Sequence, residues 1–314
     1  MMETDLSALY QLLGSRDRPV LPSGEHRAVL GCGYVGQTLA RQWRAQGHAV
    51  TGTTRRASRL ESLSQTLDEA ILFDSESSRN DLSFINSVDC LVVALAPTGQ
   101  QHVDLDTYRS VFSRGIDQIC SAISARQSSS PLTVIQLSSC GLYGDHGGAL
   151  TCEQSRIDLL HPINALLAGS ESKLQELRSD HVSVSTLRLG GIYGPGREIP
   201  EWLLAAAGQQ VERCGHHVPC WVHRDDVVQA VDLIAAKNLS GLYNVVDDLQ
   251  LSKQTITDLL CSAIGLPQVD WMGSEREQRV LHAAVSNQAI KRLGLQLKYP
   301  SMIDWYLASR SAAV

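Results

Sequence analysis

Apolar and polar positions along the chain follow two rhythms. Short runs rich in β-branched residues read as strands, and longer stretches whose apolar residues recur every three or four positions read as helices. The regular pattern begins at His26. It predicts strands at His26–Leu30, His48–Thr54, Ala70–Asp74, Val88–Ala96, Leu132–Ser138 and Val182–Leu189, with helices between them at Gln37–Gln46, Ser58–Leu67, Leu105–Gln127 and Ala165–Arg178. Strands separated by helices of this length imply right-handed crossovers and a parallel sheet covered on both faces. After Pro195 the alternation loosens. Helices are predicted at Glu201–Gly208, Asp225–Ala236, Lys253–Ile264 and Gln288–Leu293, with a strand at Leu242–Val246. Ahead of His26 lies a polar leader, residues 1–25, with a short helix over Leu6–Leu13 that Gly14 and the Pro19/Pro22 pair end.

Composition narrows the class without naming a function. At 314 residues and 43% hydrophobic the chain can bury a large core, and 24 Gly with 10 Pro are too few for a low-complexity segment. A formal charge of −6 with no basic block argues against a nucleic-acid partner, as do aromatics at only 5%. The densest apolar run, Cys90 to Ala96, stops at Pro97, well short of the roughly 18 residues a membrane span needs. The leader carries Glu3, Asp5, Arg16, Asp17 and Arg18 and does not read as a signal peptide, so a cytoplasmic location is expected. Eight cysteines in a chain of this length, with no CxxC pair, do not form a disulfide scaffold. Cys214-Gly-His-His-Val-Pro-Cys220 contains zinc-ligand types at a spacing that fits no common structural zinc pattern, and no metal is expected.

The first chemical signal is Gly31-Cys32-Gly33-Tyr34-Val35-Gly36. It follows a predicted strand and opens a predicted helix, the context in which GxGxxG binds a dinucleotide diphosphate. Gly31 permits the tight turn, Gly33 lets the backbone approach the diphosphate, and Gly36 lets helix pack on strand, while the helix start offers N–H groups and partial positive charge. At the end of the second strand an NAD enzyme carries Asp or Glu for the ribose 2′-hydroxyl. Here the chain reads Thr53-Thr54-Arg55-Arg56, with no carboxylate before Glu61. Hydroxyls followed by guanidiniums suit a 2′-phosphate, so NADP(H) is expected in preference to NAD(H).

Further segments occur in order behind this loop: Leu137-Ser138-Ser139-Cys140-Gly141-Leu142-Tyr143-Gly144, Leu187-Arg188-Leu189-Gly190-Gly191-Ile192-Tyr193-Gly194-Pro195-Gly196, Trp221-Val222-His223-Arg224-Asp225-Asp226-Val227 and Gly241 to Asp248. Together they resemble the short-chain dehydrogenase/reductase superfamily, in its extended, epimerase/dehydratase-like and atypical branch. The resemblance implies an α/β Rossmann-type doubly wound parallel sheet over residues 26–195. It also implies a small C-terminal α+β substrate lobe over 196–314 that exchanges strands or helices with the core. Ala94, Leu95 and Ala96 would line the cofactor, as would Leu189, Gly190, Gly191 and Ile192. Ser139 would be the catalytic serine.

The same resemblance implies a Tyr-x-x-x-Lys pair one helix later. The best alignment puts the lysine at Lys173 and leaves Gly169 in the tyrosine's place, with no other tyrosine between Tyr143 and Tyr193. Losing a positioned acid typically costs about 10²–10⁴ in rate. Tyr143 is a candidate substitute and substrate contact, Lys173 a ribose contact, and Arg197 and Arg224 substrate-anion contacts. Two functions follow: an atypical NADP(H)-dependent oxidoreductase or epimerase acting on a small hydroxyl or carbonyl substrate, or a non-catalytic NADP(H)-sensing protein. A nucleotide-sugar epimerase or dehydratase is a further alternative that leans on the missing tyrosine. Homodimer pairing is what the resemblance implies for assembly.

Overall fold

The computed structural model describes residues 24–97, 103–273 and 280–311. The predicted helix over Leu6–Leu13 lies outside the described residues. The first half runs β1 (His26–Leu30), α1 (Tyr34–Ala45), β2 (Ala49–Thr54), α2 (Leu60–Ser64), β3 (Glu69–Leu72), β4 (Cys90–Val93), α3 (Leu105–Arg109), α4 (Ile116–Ser124) and β5 (Leu132–Ser139). The chain continues through β6 (Asp145–Thr151), α5 (Pro162–Gln175), β7 (Val182–Leu189), β8 (Gly191–Tyr193), α6 (Ile199–Leu204), β9 (Gln210–Val211), β10 (Trp221–His223), α7 (Arg224–Lys237) and β11 (Gly241–Val245). It ends with α8 (Lys253–Ile264), β12 (Asp270–Trp271), β13 (His282–Val285), α9 (Gln288–Arg292) and α10 (Met302–Ser311).

Seven strands form one sheet in the order β11-β7-β5-β4-β1-β2-β3, and every neighbouring pair is parallel. The strand order reverses between β1 and β4, the switch point outside which doubly wound sheets bind ligands. Both sheet faces are buried: β4 is wholly so, and Leu132 to Ile135 of β5 alternate between two apolar clusters. One cluster holds Val29, Leu39, Trp43, Val92, Ile135 and Val231, and the opposite one holds Leu30, Val93, Ile116, Ile119 and Val134. The predicted helix Leu105–Gln127 is α3 and α4 joined by a π turn at Ser110–Gly115. Helix α5 starts earlier than its apolar pattern suggests because His161 caps it and Pro162 occupies its first position.

The C-terminal boundary is interleaved. Strand β11 returns to the large sheet beside β7, and α7 packs on α1, so residues 224–245 belong to the core although they fall after Pro195. What remains as a lobe is α6, α8 and α10 around Tyr193, Ile199, Ile256, Leu260, Met302 and Tyr306. Three short parallel pairs complete the fold: β8–β10 and β6–β13 join segments on either side of Pro195, and β9–β12 joins two C-terminal segments. Among the described residues no helix is long and apolar enough to cross a membrane.

Candidate functional site

The glycine loop sits at the switch point. Gly31 has φ +100°, and a Cβ there would stand 2.6 Å from the Ala94 carbonyl oxygen, so β1 and β4 approach only because the position is glycine. A Cβ at Gly36 would stand 2.3 Å from the Gly31 oxygen, which fixes the close helix–strand packing. Gly33 is different. A Cβ there meets nothing within 4 Å, and as N-cap of α1 it offers no side chain to the helix N–H groups. The backbone donors of the first turn are thus open to an incoming anion across empty space.

From this loop a groove of about 190 Å³ runs outward, lined by Gly31, Gly33, Thr54, Arg55, Arg56 and Ala94 to Ala96 among the expected residues. Sequence reasoning missed Arg59, Phe73, Ser75 and Val111, which complete the lining. Arg59 is the informative omission: its Nη2 donates to the Cys32 carbonyl at 3.0 Å, so a third guanidinium lies across the glycine loop. Its place one helical turn beyond Arg56 was a signal available in the sequence. Thr53, also in the lining, is buried and accepts the Gly31 N–H at 3.0 Å, which braces the loop. Cys32 also faces the groove, but burial pushes its thiol up to about 12, leaving it a spacer.

Ser139 ends β5 at the carboxyl edge of the sheet, half-buried, and its oxygen accepts the Gly141 N–H at 3.1 Å. That bond uses a lone pair and leaves the hydroxyl proton to donate. Tyr143 is elsewhere. It is fully buried, donates to Asn244 Oδ1 at 2.7 Å, and lies under the Arg188 guanidinium at 5.0 Å. Burial pushes its phenol up to about 12, and the side chain stands in the core beside Cys140 and Cys220.

The expected lysine is also displaced. Lys173 pairs with Asp117 of α4 on the outer side of α5, with both side chains substantially exposed. Gly169 is exposed too, and a Cβ there meets nothing within 4 Å. Neither residue of the pair read as the tyrosine–lysine equivalent is among those lining the groove. The inward face of α5 presents Asn164, Leu167, Ser170, Glu171 and Leu174. Leu167 and Ile163 join Leu95, Val111, Phe112 and Leu142 in an apolar wall next to the groove. Below that wall Glu171 takes Arg188 in a bidentate pair at 3.1 and 2.7 Å, with the Ser138 hydroxyl donating at 2.5 Å, all buried.

Four further expected cofactor contacts are not among the residues lining the groove, and each makes close packing contacts. Leu189 is in the core, a Cβ at Gly190 would stand 2.8 Å from the Trp221 backbone, and one at Gly191 would stand 2.6 Å from the Trp221 ring. Ile192 packs against the same core cluster, as do Val35 within it and Tyr34 at its margin. Arg197 and Arg224 are brought together, both over the Tyr34 ring at 4.8 and 5.1 Å.

Known proteins match this arrangement along most of its length. Protein YeeZ of Escherichia coli K12 is 26% identical over 285 residues, which cover 87% of this chain and 96% of that protein. A functionally unknown conserved protein from Silicibacter pomeroyi has a similar structure, with a TM-score of 0.72 and 24% identity over 92% of this chain and 99% of that one. A UDP-glucuronic acid 4-epimerase from Bacillus cereus, in complex with UDP-glucuronic acid and NAD, shares the fold at a TM-score of 0.71 and 17% identity, covering 89% of this chain and 96% of that one. Residues 28–245, the span from β1 through β11, match the model of the NAD dependent epimerase/dehydratase family, and the chain belongs to that family.

Proposed function

We propose that the protein is an NADP(H)-dependent oxidoreductase or epimerase-type enzyme acting on a small hydroxyl or carbonyl substrate. The observation that carries the cofactor reading is the trio Arg55, Arg56 and Arg59 around the outer end of the groove, with no carboxylate in its lining. A 2′-phosphate fits such a setting because guanidiniums hold phosphate oxygens in a planar fork. The open space over Gly33 fits the diphosphate, and Ala94 to Ala96 continue the groove along the sheet edge. NAD bound to the Bacillus cereus epimerase supports a nicotinamide dinucleotide here as well.

When bound, a nicotinamide supplies hydride exchange with a substrate carbon. The chain's own contribution is orientation. Ser139, its oxygen already engaged by Gly141, donates its hydroxyl proton to the substrate oxygen, and the apolar wall of Leu95, Ile163 and Leu167 thins the water around it. Proton exchange falls to water or to a residue outside the family's usual set, since Gly169 stands in the tyrosine's place and Lys173 pairs with Asp117.

That last observation favours a second reading, a dinucleotide-sensing protein without turnover. Calorimetry with NADP⁺ and NAD⁺, followed by NADPH oxidation against a panel of carbonyl compounds, tests both. The enzyme reading expects NADP⁺ to bind at least about tenfold tighter, a preference lost in Arg55→Ala/Arg56→Ala, together with NADPH consumption. Equal affinities refute the NADP(H) assignment. Tight NADP⁺ binding without turnover selects the sensor.

A further inference from the structure

Two cations reach the start of α1 from distant parts of the chain. Arg197 lies in the turn after Pro195, and Arg224 is the first residue of α7. Their guanidinium carbons stand 4.8 and 5.1 Å from the centre of the Tyr34 ring. Tyr34 is the first residue of α1, immediately after the open position Gly33. Its hydroxyl donates to the Pro195 carbonyl at 3.0 Å, so the Tyr34 side chain ties the glycine loop to the segment that carries Arg197.

The contact depends on a missing side chain. Gly194 has φ +140°, and a Cβ there would stand 3.0 Å from both Tyr34 Oη and His223 Nε2. His223 is itself informative. Its Nδ1 accepts the Asp225 N–H at 3.1 Å, which puts the ring proton on Nε2, and that buried donor has no acceptor among the described residues. A donor and a phenol oxygen thus face one small space beside the loop.

The charges are unequally committed. Arg224 pairs with Asp225 at 3.2 Å, and Asp225 also meets Lys298 at 3.6 Å. Glu198 accepts the Gly196 N–H at 2.7 Å and is held in its turn. Arg197 has no ion pair among the described residues. Stacking uses the face of a guanidinium and leaves the N–H donors along its edge available, the arrangement that suits an anion.

We propose that Arg197, stacked on Tyr34 with Arg224 alongside, is a clamp on the diphosphate of the bound dinucleotide, closing the 194–224 region onto the glycine loop. This rests on the dinucleotide reading above. Backbone donors of α1 take one side of the diphosphate and the Arg197 edge takes another, so the C-terminal segments sense the cofactor through its phosphates. Arg55, Arg56 and Arg59 read the ribose end independently.

Calorimetry with NADP⁺, NAD⁺ and 2′-AMP, which has no diphosphate, separates the two groups. Arg197→Gln is expected to weaken NADP⁺ and NAD⁺ alike by about tenfold or more and to leave 2′-AMP within about twofold. Tyr34→Leu is expected to give a smaller loss, about three- to fivefold, with the same ligand pattern, and Tyr34→Phe, which keeps the ring but loses the bond to Pro195, a loss smaller again. Unchanged dinucleotide binding in Arg197→Gln, or an equal loss for 2′-AMP, overturns the clamp while the dinucleotide reading stands. A loss in Tyr34→Phe equal to that in Tyr34→Leu overturns the stacking. A wild-type protein that binds neither dinucleotide overturns the functional reading and the clamp together. Should Tyr34→Leu fail to fold, Arg197→Gln carries the test alone.

Discussion

Two glycines in one loop should respond in opposite ways to the same added methyl group. At Gly33 the methyl enters space where no protein atom lies within 4 Å, and φ of −85° is one that alanine adopts. Alanine caps a helix less well than glycine, by about 0.5–1 kcal/mol, but it also stiffens the unfolded chain by a comparable amount. Gly33→Ala should therefore move Tm by no more than about 3 °C. At Gly36 the methyl meets the Gly31 oxygen at 2.3 Å and the Val29 Cγ1 at 3.0 Å, both parts of the packed core. Overpacking of that kind costs about 1–3 kcal/mol, so Gly36→Ala should lower Tm by several degrees. Binding runs the other way for Gly33. A methyl in the diphosphate space weakens charge-assisted hydrogen bonds by at least about 1.4 kcal/mol, a factor of ten. With NADP⁺ at 100 times the wild-type Kd, ligand stabilisation is about 2.7 kcal/mol for wild type and about 1.4 kcal/mol for Gly33→Ala. Thermal melting with and without NADP⁺ reads both effects. A Gly33→Ala protein as destabilised as Gly36→Ala, or one stabilised by NADP⁺ as fully as wild type, would refute the assignment of that space to a ligand.

Other side chains give independent checks. Arg188→Met strips the buried Glu171 of its bidentate partner and should cost about 3–5 kcal/mol in urea unfolding, much of it recovered in Glu171→Met/Arg188→Met; a loss below about 1 kcal/mol would contradict a charged buried pair. Lys173→Met breaks a pair with both partners exposed, so stability should change by about 0–1 kcal/mol and NADP⁺ affinity by less than about twofold. A tenfold loss of affinity would mean that Lys173 reaches the cofactor. Burial holds His223 down at about 4 from its ordinary 6.5, so the unfolded chain takes up a proton there first as acid is added. Stability due to this residue is full above about 6.5 and lost as pH falls toward 4. His223→Asn keeps the helix cap, and urea midpoints at pH 7.5, 5.5 and 4.5 should show wild type losing ground to the variant in acid. Parallel curves would contradict a buried neutral imidazole.

The sequence was most legible where local pattern and global fold agree. All six strands predicted before Pro195 are present; β1 and β4 show the reason most plainly, as buried parallel strands that read as apolar runs. Helix α8 spans Lys253–Ile264 as predicted, where Ser252 caps its start and Gly265 takes the left-handed turn at its end. Strands β6, β8, β9, β10, β12 and β13 went unseen. Four of them are two or three residues long, and all six form by pairing with segments far along the chain. The return of β11 to the sheet is an exchange of the kind expected across Pro195, but that it would join β7 could not be read, since an edge strand's partner is not written in its own sequence.

The site divides along the same line. Glycine positions and the arginines after β2 are local chemistry attached to a strand end, and the groove contains them. The α5 assignment required a rotation. Lys173 lies two residues beyond Glu171, about 200° around the helix, so a helix that buries Glu171 against Arg188 must turn Lys173 outward. The Tyr-x-x-x-Lys spacing picks out Gly169 and Lys173 and passes over Glu171, which lies between them. Yet a carboxylate buried beneath a strand arginine fixes the helix face more firmly than an exposed lysine can, because unpairing it costs several kcal/mol while unpairing the lysine costs almost nothing. Helix phase is set by the residue with most to lose from facing the wrong way.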